Sequence, residues 1–256
     1  MTHGMTLQSI TLRASLFVAA SLWGLSPAFA SDAPHWSYAG PAGPGHWAEL
    51  SPAFEACARG HAQSPVDIRK AVTATLPTLR WDYGTADPSI VNNGHTVQVD
   101  LPPGQHLAIG DRRYDLVQFH FHTPSENAMQ GRRAPMEVHF VHRDEQGRLA
   151  VVAVLLRAGK HNEAFAPVFA HLPRGGERVT VEGLHLDLAA LLPRNFGYFR
   201  FQGSLTTPPC SEGVDWIVLK EPMTLGADQI RAFRRLFRAN ARPLQPIDGR
   251  TVEASA

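Results

Sequence analysis

The stretch from Tyr114 to His122, YDLVQFHFH, contains two histidines separated by a single residue, a spacing that suggests metal binding. Its alternation of residue types predicts a β-strand, in which successive side chains point to opposite faces. Two such histidines lie roughly 6–7 Å apart along the strand. One face carries Gln118, His120 and His122, and the other, which we expect to face a hydrophobic core, carries Val117, Phe119 and Phe121.

A second predicted strand, Met136 to Val141, has the same character. Its sequence, MEVHFV, places Glu137, His139 and Val141 on one face. Three imidazoles that leave a fourth position open form the ligand set of a catalytic zinc rather than a structural one. Gln118 and Glu137 each share a face with a histidine, where a hydrogen-bonding oxygen can fix the ring of a metal ligand. The two strands together predict a zinc site.

Each histidine has a simpler interpretation when it is considered alone. A single histidine on a strand is usually solvated or hydrogen-bonded to a neighbouring group. His142 illustrates this ordinary case, because it lies on the opposite face from His139, and we predict a structural role for it. The metal-site interpretation depends on the combination of three histidines with two polar neighbours on the same faces.

The length and composition indicate one globular domain. The chain has 256 residues, 44% hydrophobic and 18% charged, which argues against disorder and against a coiled coil. Its 20 prolines and 21 glycines are scattered, as in a protein of many strands joined by turns. No repeat, charge block or linker-like break divides the sequence. We therefore predict one large, mainly antiparallel sheet with short peripheral helices.

Hydrophobic periodicity predicts the positions of further elements. Asn93-Gly94 between two strand-like runs indicates a hairpin within residues 89–100. The apolar run LAVVAVLL at 149–156 predicts a strand that is buried on both faces. The remaining predicted strands are Leu107–Ile109, Tyr198–Gly203 and Val214–Lys220, and the predicted helical segments are Asn162–His171, a turn from Asp187 to Leu192, and Ala227–Arg238.

Residues 1–30 have the pattern of a cleaved signal peptide. Arg13 precedes the apolar run ASLFVAASLWGL, and Ala28-Phe29-Ala30 fits a cleavage site, so the mature domain, 31–256, would begin near Ser31. The run is too short to span a membrane. We expect a periplasmic or secreted protein with no membrane attachment in its mature form. Loss of Arg13 leaves 23 basic and 23 acidic residues, which argues against a nucleic-acid partner.

Cys57 and Cys210 are the only two cysteines. In the oxidising compartment that export implies, one disulfide between them is the expected state. The alternative is a pair of buried free thiols. No CxxC motif is present, so neither a redox motif nor a thiolate zinc site is supported.

Several motifs together resemble the α-class carbonic anhydrases, specifically the exported bacterial ones. The resemblance extends over essentially the whole mature chain, and it implies a mainly β, α+β fold. In this fold a single domain surrounds a twisted, mostly antiparallel ten-stranded sheet with short peripheral helices and a zinc ion at the bottom of a conical cleft. The motifs are QSPVDI (63–68), NNGH (92–95), QFHFH (118–122), EVHFV (137–141), GSLTTPPC (203–210) and WIVL (216–219).

The resemblance implies roles for the residues around the metal. The three zinc ligands correspond to His120, His122 and His139, and the residues that orient two of them correspond to Gln118 and Glu137. Thr206, in LTT, matches the gatekeeper that accepts a hydrogen bond from the zinc hydroxide. Glu126, in PSEN, matches the carboxylate that accepts the proton of that threonine.

The resemblance also implies two walls above the metal. The apolar wall that holds carbon dioxide corresponds to Val141, Val151, Leu205 and Trp216, with Thr207 at the mouth. The proton shuttle corresponds to His95, and the polar wall that holds a chain of water corresponds to Tyr38, Asn93 and Gln98.

The predicted function is the reversible hydration of carbon dioxide to bicarbonate and a proton, with Zn²⁺ as the cofactor. Three neutral imidazoles leave the ion its full charge, which lowers the pKa of a bound water and yields a zinc-bound hydroxide near neutral pH; carbonic anhydrases are themselves the standard example of this effect. Carbon dioxide lacks a strong polar handle, so an apolar pocket suits it. A histidine with a pKa near 6.5 can pass the released proton to buffer.

Other interpretations apply to the motifs taken singly. LTTPP can be a plain strand-to-turn segment, His95 an exposed turn residue, and Trp216 with the valines ordinary core. At the level of function, the alternatives are a catalytically silent relative that binds a ligand and a periplasmic zinc buffer. All three zinc histidines are present, no histidine-rich loop is seen, and no GxSxG motif supports a serine hydrolase. The oligomeric state is left open.

Overall fold

Strands make up most of the regular structure of the described residues, which in this computed structural model are Met1 and 34–256. Apart from Met1, the predicted signal peptide and its cleavage site lie outside them. In chain order the strands are β1 (Asp67–Ile68), β2 (Val72–Ala74), β3 (Leu79–Asp82), β4 (Thr85–Ala86), β5 (Ser89–Asn92), β6 (Val97–Asp100), β7 (His106–Ile109), β8 (Arg112–His122), β9 (Ala128–Met129), β10 (Arg132–Arg133), β11 (Met136–Arg143), β12 (Leu149–Ala158), β13 (Arg178–Thr180), β14 (Leu186–Asp187), β15 (Tyr198–Ser204), β16 (Glu212–Leu219), β17 (Met223–Leu225) and β18 (Glu253–Ser255).

One large sheet organises the domain. Its continuous path is β13-β5-β6-β8-β11-β12-β16-β15-β18-β2, and β3, β7 and β17 pair beside that path. Neighbouring strands are mostly antiparallel; the parallel pairs are β12–β16, β12–β17 and β18–β2. The predicted fold class is therefore confirmed. The path contains the ten expected strands, and the three short strands beside it extend the sheet to 13.

The central strands β8 and β11 pair antiparallel, with His139 opposite His120 and Glu137 opposite His122. Directly opposed residues of neighbouring strands project from the same face. The register therefore gathers the histidines of both strands on one side of the sheet. β12 lies on the far side of β11. Its residues from Ala150 to Leu156 are all buried, as its apolar sequence predicted.

A β-bulge interrupts β8 beyond the histidines. Val141 pairs with Gln118, but His142 pairs with Leu116, so Val117 has no opposing residue in β11. The extra residue shifts the alternation of faces. The prediction that Val117 shares a core face with the two phenylalanines of the strand is therefore wrong: its exposed fraction is 36%, while both phenylalanines are fully buried.

The helices are short, as predicted, and lie around the sheet. The α-helices are α1 (Trp47–Leu50), α2 (Ala56–Arg59), α3 (Ala166–Ala170) and α4 (Ala227–Leu236), and the 3₁₀ turns are Gly40–Ala42, Pro52–Phe54 and Ala189–Leu191. The last turn follows Asp187, whose carboxylate accepts hydrogen bonds from the amides of Ala189 and Ala190. No helix in the described residues is long and apolar enough to cross a membrane.

The helix predicted from Asn162 is much shorter than expected. The Asn162 carboxamide accepts hydrogen bonds from the amides of Ala164 and Phe165, which holds the chain in a turn before the helix begins. The helix starts only at Ala166, with Pro167 in its first turn, where a missing N–H costs nothing.

His142 is fully buried and hydrogen-bonded at both ring nitrogens. Nδ1 lies 3.3 Å from the carbonyl oxygen of Ala150, which can only accept, so this nitrogen carries the proton. Nε2 then accepts from the hydroxyl of Tyr83. Burial lowers the pKa of His142 to about 4. The ring is thus a neutral, fully partnered group within the sheet.

We expect acid to destabilise the protein through His142. Between pH 6.5 and about 4 the unfolded chain binds a proton at this residue that the folded chain resists, so the free energy of unfolding falls as pH falls through this window. The full loss is about 3 kcal/mol by linkage. Urea unfolding of the unmodified protein and of His142→Gln, from pH 7 to pH 4, tests this. Equal pH slopes in the two proteins would contradict it.

A disulfide joins Cys57, in α2, to Cys210, beyond β15, as the sequence predicted. The two Cα atoms lie 5.0 Å apart and 153 residues apart in the sequence. Cys210 also donates its backbone N–H to the carbonyl oxygen of Thr207 at 2.8 Å. The crosslink therefore anchors the segment that contains the predicted site residues Thr206 and Thr207 to α2.

Removal of this crosslink should cost substantial stability. Because the bond closes a long loop, the chain-entropy model gives up to about 5 kcal/mol, and measured losses for native disulfides are about 2–5 kcal/mol. Urea unfolding of the double variant Cys57→Ala/Cys210→Ala should show that loss, and the reduced unmodified protein should show a similar one. Two titratable thiols in the native, unreduced protein would contradict the pairing.

Candidate active site

Three histidines converge at the floor of a cleft on one face of the sheet. His120 and His122 project from β8 and His139 from β11. One nitrogen of each ring lies within 4.8 Å of the others, a spacing suited to a single metal ion. The ring centroids of His122 and His139 are 4.5 Å apart, and those of His120 lie 5.0 and 5.3 Å from the other two.

Partners outside the triad fix two of the three rings. Nδ1 of His120 lies 2.8 Å from Oε1 of Gln118, and Nδ1 of His122 lies 2.7 Å from the carbonyl oxygen of Asn240. Both oxygens accept, so Nδ1 carries the proton in each ring and Nε2 keeps its lone pair. Nε2 of His122 is buried and has no hydrogen-bond partner among the described residues. A metal ion would satisfy this nitrogen.

In the third ring, His139, it is Nε2 rather than Nδ1 that faces the neighbouring oxygen. Nε2 of His139 lies 3.3 Å from Oε1 of Glu137, a close contact rather than a well-aligned hydrogen bond, which leaves Nδ1 for the metal. Asn127 holds the Glu137 carboxylate with its backbone and side-chain N–H groups, both at 2.8 Å. The predicted orienting residues, Gln118 and Glu137, therefore both contact the rings assigned to them.

Burial keeps the three imidazoles neutral. It lowers the pKa of His122 and lowers the pKa values of His120 and His139 well below their usual range, with repulsion among the rings adding to the effect for the latter two. Neutral imidazole is the form that ligates metal. Three such rings with converging lone pairs and an open side toward the cleft fit a catalytic zinc ion.

Glu126 is fully buried beside the triad. Its Oε2 lies 3.5 Å from Nε2 of His122 and 3.9 Å from Nδ1 of His139, while Oε1 accepts from the backbone N–H of Arg242 at 2.9 Å. Burial raises the pKa of Glu126 to about 8, and the Thr206 hydroxyl and the Arg242 amide oppose this rise. Thr206 is close enough for that effect, although the two side chains do not form an aligned hydrogen bond.

An apolar wall rises on one side of the triad. Val141, Val151 and Trp216 come from the adjacent strands β11, β12 and β16, where Val151 is opposite both of the others. The indole of Trp216 meets the ring of His139 edge to face at 5.0 Å and donates to the carbonyl oxygen of Ser204 at 3.0 Å. Leu205 completes the wall.

The opposite wall is polar. The cleft, a cavity of about 180 Å³, is lined here by Tyr38, Asn93, His95 and Gln98, and Thr206 and Thr207 also line it. Burial, followed by repulsion from His35, lowers the pKa of His95. Burial raises the pKa of Tyr38 well above its usual range, so its hydroxyl stays protonated. The structure thus brings every predicted site residue to the cleft or into contact with its floor, apart from the disulfide.

Sequence reasoning missed four residues that support the site. The ring of Trp36, which none of the motifs singled out, stacks on His95 with centroids 3.7 Å apart and planes 7° apart. Asn127, which holds the Glu137 carboxylate, could have been predicted as a supporting residue, because it directly follows the predicted site residue Glu126. Asn240 and Arg242 gave no signal, because they lie far away in the sequence and contact His122 and Glu126 through backbone atoms.

Comparison with known proteins identifies relatives along most of the chain. Residues 42–256 match the family model described as eukaryotic-type carbonic anhydrase. A carbonic anhydrase of Pectobacterium carotovorum is 40% identical over 242 residues, covering 94% of this chain and 99% of the relative, and one of Neisseria gonorrhoeae is 43% identical, covering 85% and 87%. The structure of Photobacterium profundum alpha-carbonic anhydrase superimposes with a TM-score of 0.82 at 43% identity, covering 86% of this chain and all of that one.

Proposed function

The chain belongs to the eukaryotic-type carbonic anhydrase family, and we propose that it converts carbon dioxide reversibly to bicarbonate and a proton with a zinc ion held by His120, His122 and His139. The observation that carries this proposal is the convergence of three neutral imidazoles, two of them buried and one half-buried, at the cleft floor. When bound, zinc acts as a Lewis acid that lowers the pKa of water and so supplies a nucleophile near neutral pH.

The residues around the triad have distinct tasks in this proposal. Thr206 accepts a hydrogen bond from the nucleophile, and Glu126 accepts a hydrogen bond from the threonine hydroxyl, so that a lone pair of the nucleophile faces the substrate. The apolar wall holds carbon dioxide beside that lone pair without competing for the metal. Glu126 is fully buried, and its neighbours restrict its side chain, which keeps Thr206 and the nucleophile in a fixed orientation. Fixed orientation of reacting groups lowers the barrier to reaction.

Proton removal is the remaining task, and we assign it to His95. It lines the cleft but is only partly buried, so its ring can exchange protons with both cleft water and solvent. Tyr38, Asn93 and Gln98 would order the water between it and the cleft floor. A lowered pKa makes His95 a better proton donor to buffer at neutral pH.

We place the mature protein in the periplasm or outside the cell, beginning near Ser31. The signal-peptide pattern of residues 1–30 and the disulfide between Cys57 and Cys210 both support export. No nucleic-acid or membrane partner is proposed; the substrates are small molecules.

One assay tests the proposed activity most directly. Stopped-flow hydration of carbon dioxide with a pH indicator should show rapid acidification that a zinc chelator removes and added zinc restores. The same samples should be measured for zinc content. A protein that holds stoichiometric zinc but leaves the hydration rate at its uncatalysed value would support a ligand-binding relative instead.

Replacement of His95 by Ala should lower kcat about 100-fold in weak buffer, the lower end of the range for general acid–base groups. It should leave kcat/KM nearly unchanged, because kcat/KM covers the steps through bicarbonate release and proton export follows them. Imidazole at high concentration should restore much of the rate. His46→Ala, an exposed histidine that does not line the cleft, serves as the control. A kcat that does not respond to imidazole would remove His95 from the mechanism.

A further inference from the structure

The two carboxamides of the polar wall can present either oxygen or nitrogen to the cleft, and their partners decide which. The oxygen of Asn93 accepts from the backbone N–H groups of His95 and Thr96, at 3.0 and 2.9 Å. Backbone N–H groups can only donate, so this assignment follows from their chemistry. The amino group of Asn93 is therefore the part left to face the cleft.

Gln98 has the opposite arrangement. Its Nε2 lies 2.6 Å from Oδ1 of Asp100, in the same strand and on the same face. A carboxylate only accepts, so the nitrogen must be the atom that meets it. The carbonyl oxygen of Gln98 is then left for the cleft. The polar wall thus combines a donor at Asn93 with an acceptor at Gln98.

Asp100 is itself held from a different strand. Its Oδ2 accepts from Nη1 of Arg178, in β13, at 2.7 Å, and the same nitrogen lies 2.8 Å from Oγ of Ser89. The Asp100 side chain is 31% exposed and does not line the cleft. Exposed ion pairs add little stability. The consequence of this ion pair is instead that it holds Asp100 where its carboxylate fixes the orientation of the Gln98 carboxamide.

We propose that Asp100, held by Arg178, is a positioning residue for proton transfer because it fixes Gln98 with its carbonyl oxygen toward the cleft. A donor on one part of the wall and an acceptor on another allow intervening water molecules to donate in one common direction. With Gln98 reversed, both carboxamides would present N–H groups, and the water between them would have to accept from both. The inference rests on the proposed function, since it concerns the path of the proton to His95.

Asp100→Asn should relax this orientation, because asparagine can donate as well as accept. We expect kcat in weak buffer to fall roughly twofold to tenfold, the range that one net hydrogen bond supplies, while kcat/KM stays unchanged. Asp100→Glu, which keeps the carboxylate, should recover part of the loss. Asp115→Asn, which alters another exposed aspartate that is paired with a basic residue but does not line the cleft, is the matched control. In a Gln98→Ala background, Asp100→Asn should have no further effect on kcat.

A second measurement does not depend on activity. In NMR spectra of the protein as purified, the Gln98 side-chain NH₂ should exchange slowly with water, and Asp100→Asn should accelerate that exchange. An unchanged kcat with Asp100→Asn, an equal loss in the Gln98→Ala background, or a loss of zinc affinity that points to neighbouring Gln118 would each overturn the proposal. If the unmodified protein lacked hydration activity, the proposed function would fail and the proton-transfer role of Asp100 with it, whereas the NH₂ exchange would still report the orientation.

Discussion

Replacement of His122 by Ala is expected to abolish both zinc binding and carbon dioxide hydration. The buried Nε2 of this ring has no hydrogen-bond partner among the described residues, while its other nitrogen is fixed by Asn240. Two imidazoles cannot supply the three protein ligands that catalytic zinc sites use, so the zinc content should fall from about one ion per chain to near zero. Metal analysis and stopped-flow hydration should be made on the same preparation.

The fold should survive this change, which makes the result interpretable. The principal core lies among apolar side chains such as Phe119, Phe121 and Phe140, none of which ligates the metal. Circular dichroism and urea unfolding should therefore show a folded variant. His142→Gln is a matched control, because it alters a buried histidine of the adjacent strand that makes no contact with the cleft. It should retain zinc. Stoichiometric zinc and full activity in the His122→Ala protein would falsify the ligand assignment.

Thr206→Ala should separate catalysis from metal binding. Thr206 is not one of the three proposed zinc ligands, so zinc should remain bound in the variant. Loss of the group that orients the nucleophile should lower kcat by about 100-fold, the scale for removal of one preorganised hydrogen-bonding group in an active site. Hydration kinetics and zinc content of the purified variant give both quantities.

Two neighbouring variants sharpen that test. Thr206→Ser keeps the hydroxyl and should keep most of the activity. Thr207→Ala removes the same atoms from the next residue, which lines the cleft but has no part in the proposed contact with Glu126, and it should have a much smaller effect. Equal losses for the two alanine variants would mean that Thr206 acts only as part of the lining. Loss of zinc with Thr206→Ala would mean that it supports the metal.

Local features of the sequence determined much of this protein. A strand places every second residue on one face regardless of its surroundings, so QFHFH and EVHFV were sufficient to predict two histidine-bearing strands and their orienting neighbours. The apolar run of β12 and the Asp187 turn were predictable for the same reason, because they depend on residues a few positions apart. The roles proposed for the site residues then came from the resemblance of short motifs, each of which lies within one segment.

Tertiary structure alone decided the properties that join distant segments. The bulge that leaves Val117 exposed depends on how β8 pairs with β11, and nothing within VQFHFH signals it. The carbonyl oxygen that fixes His122 belongs to Asn240, 118 residues away in the sequence. The raised pKa of Glu126 is a consequence of burial, which only the assembled sheet and its loops produce. Spacing along a chain determines which side chains share a face, but the register, depth and long-range partners of those side chains depend on the free energy of the whole packed domain.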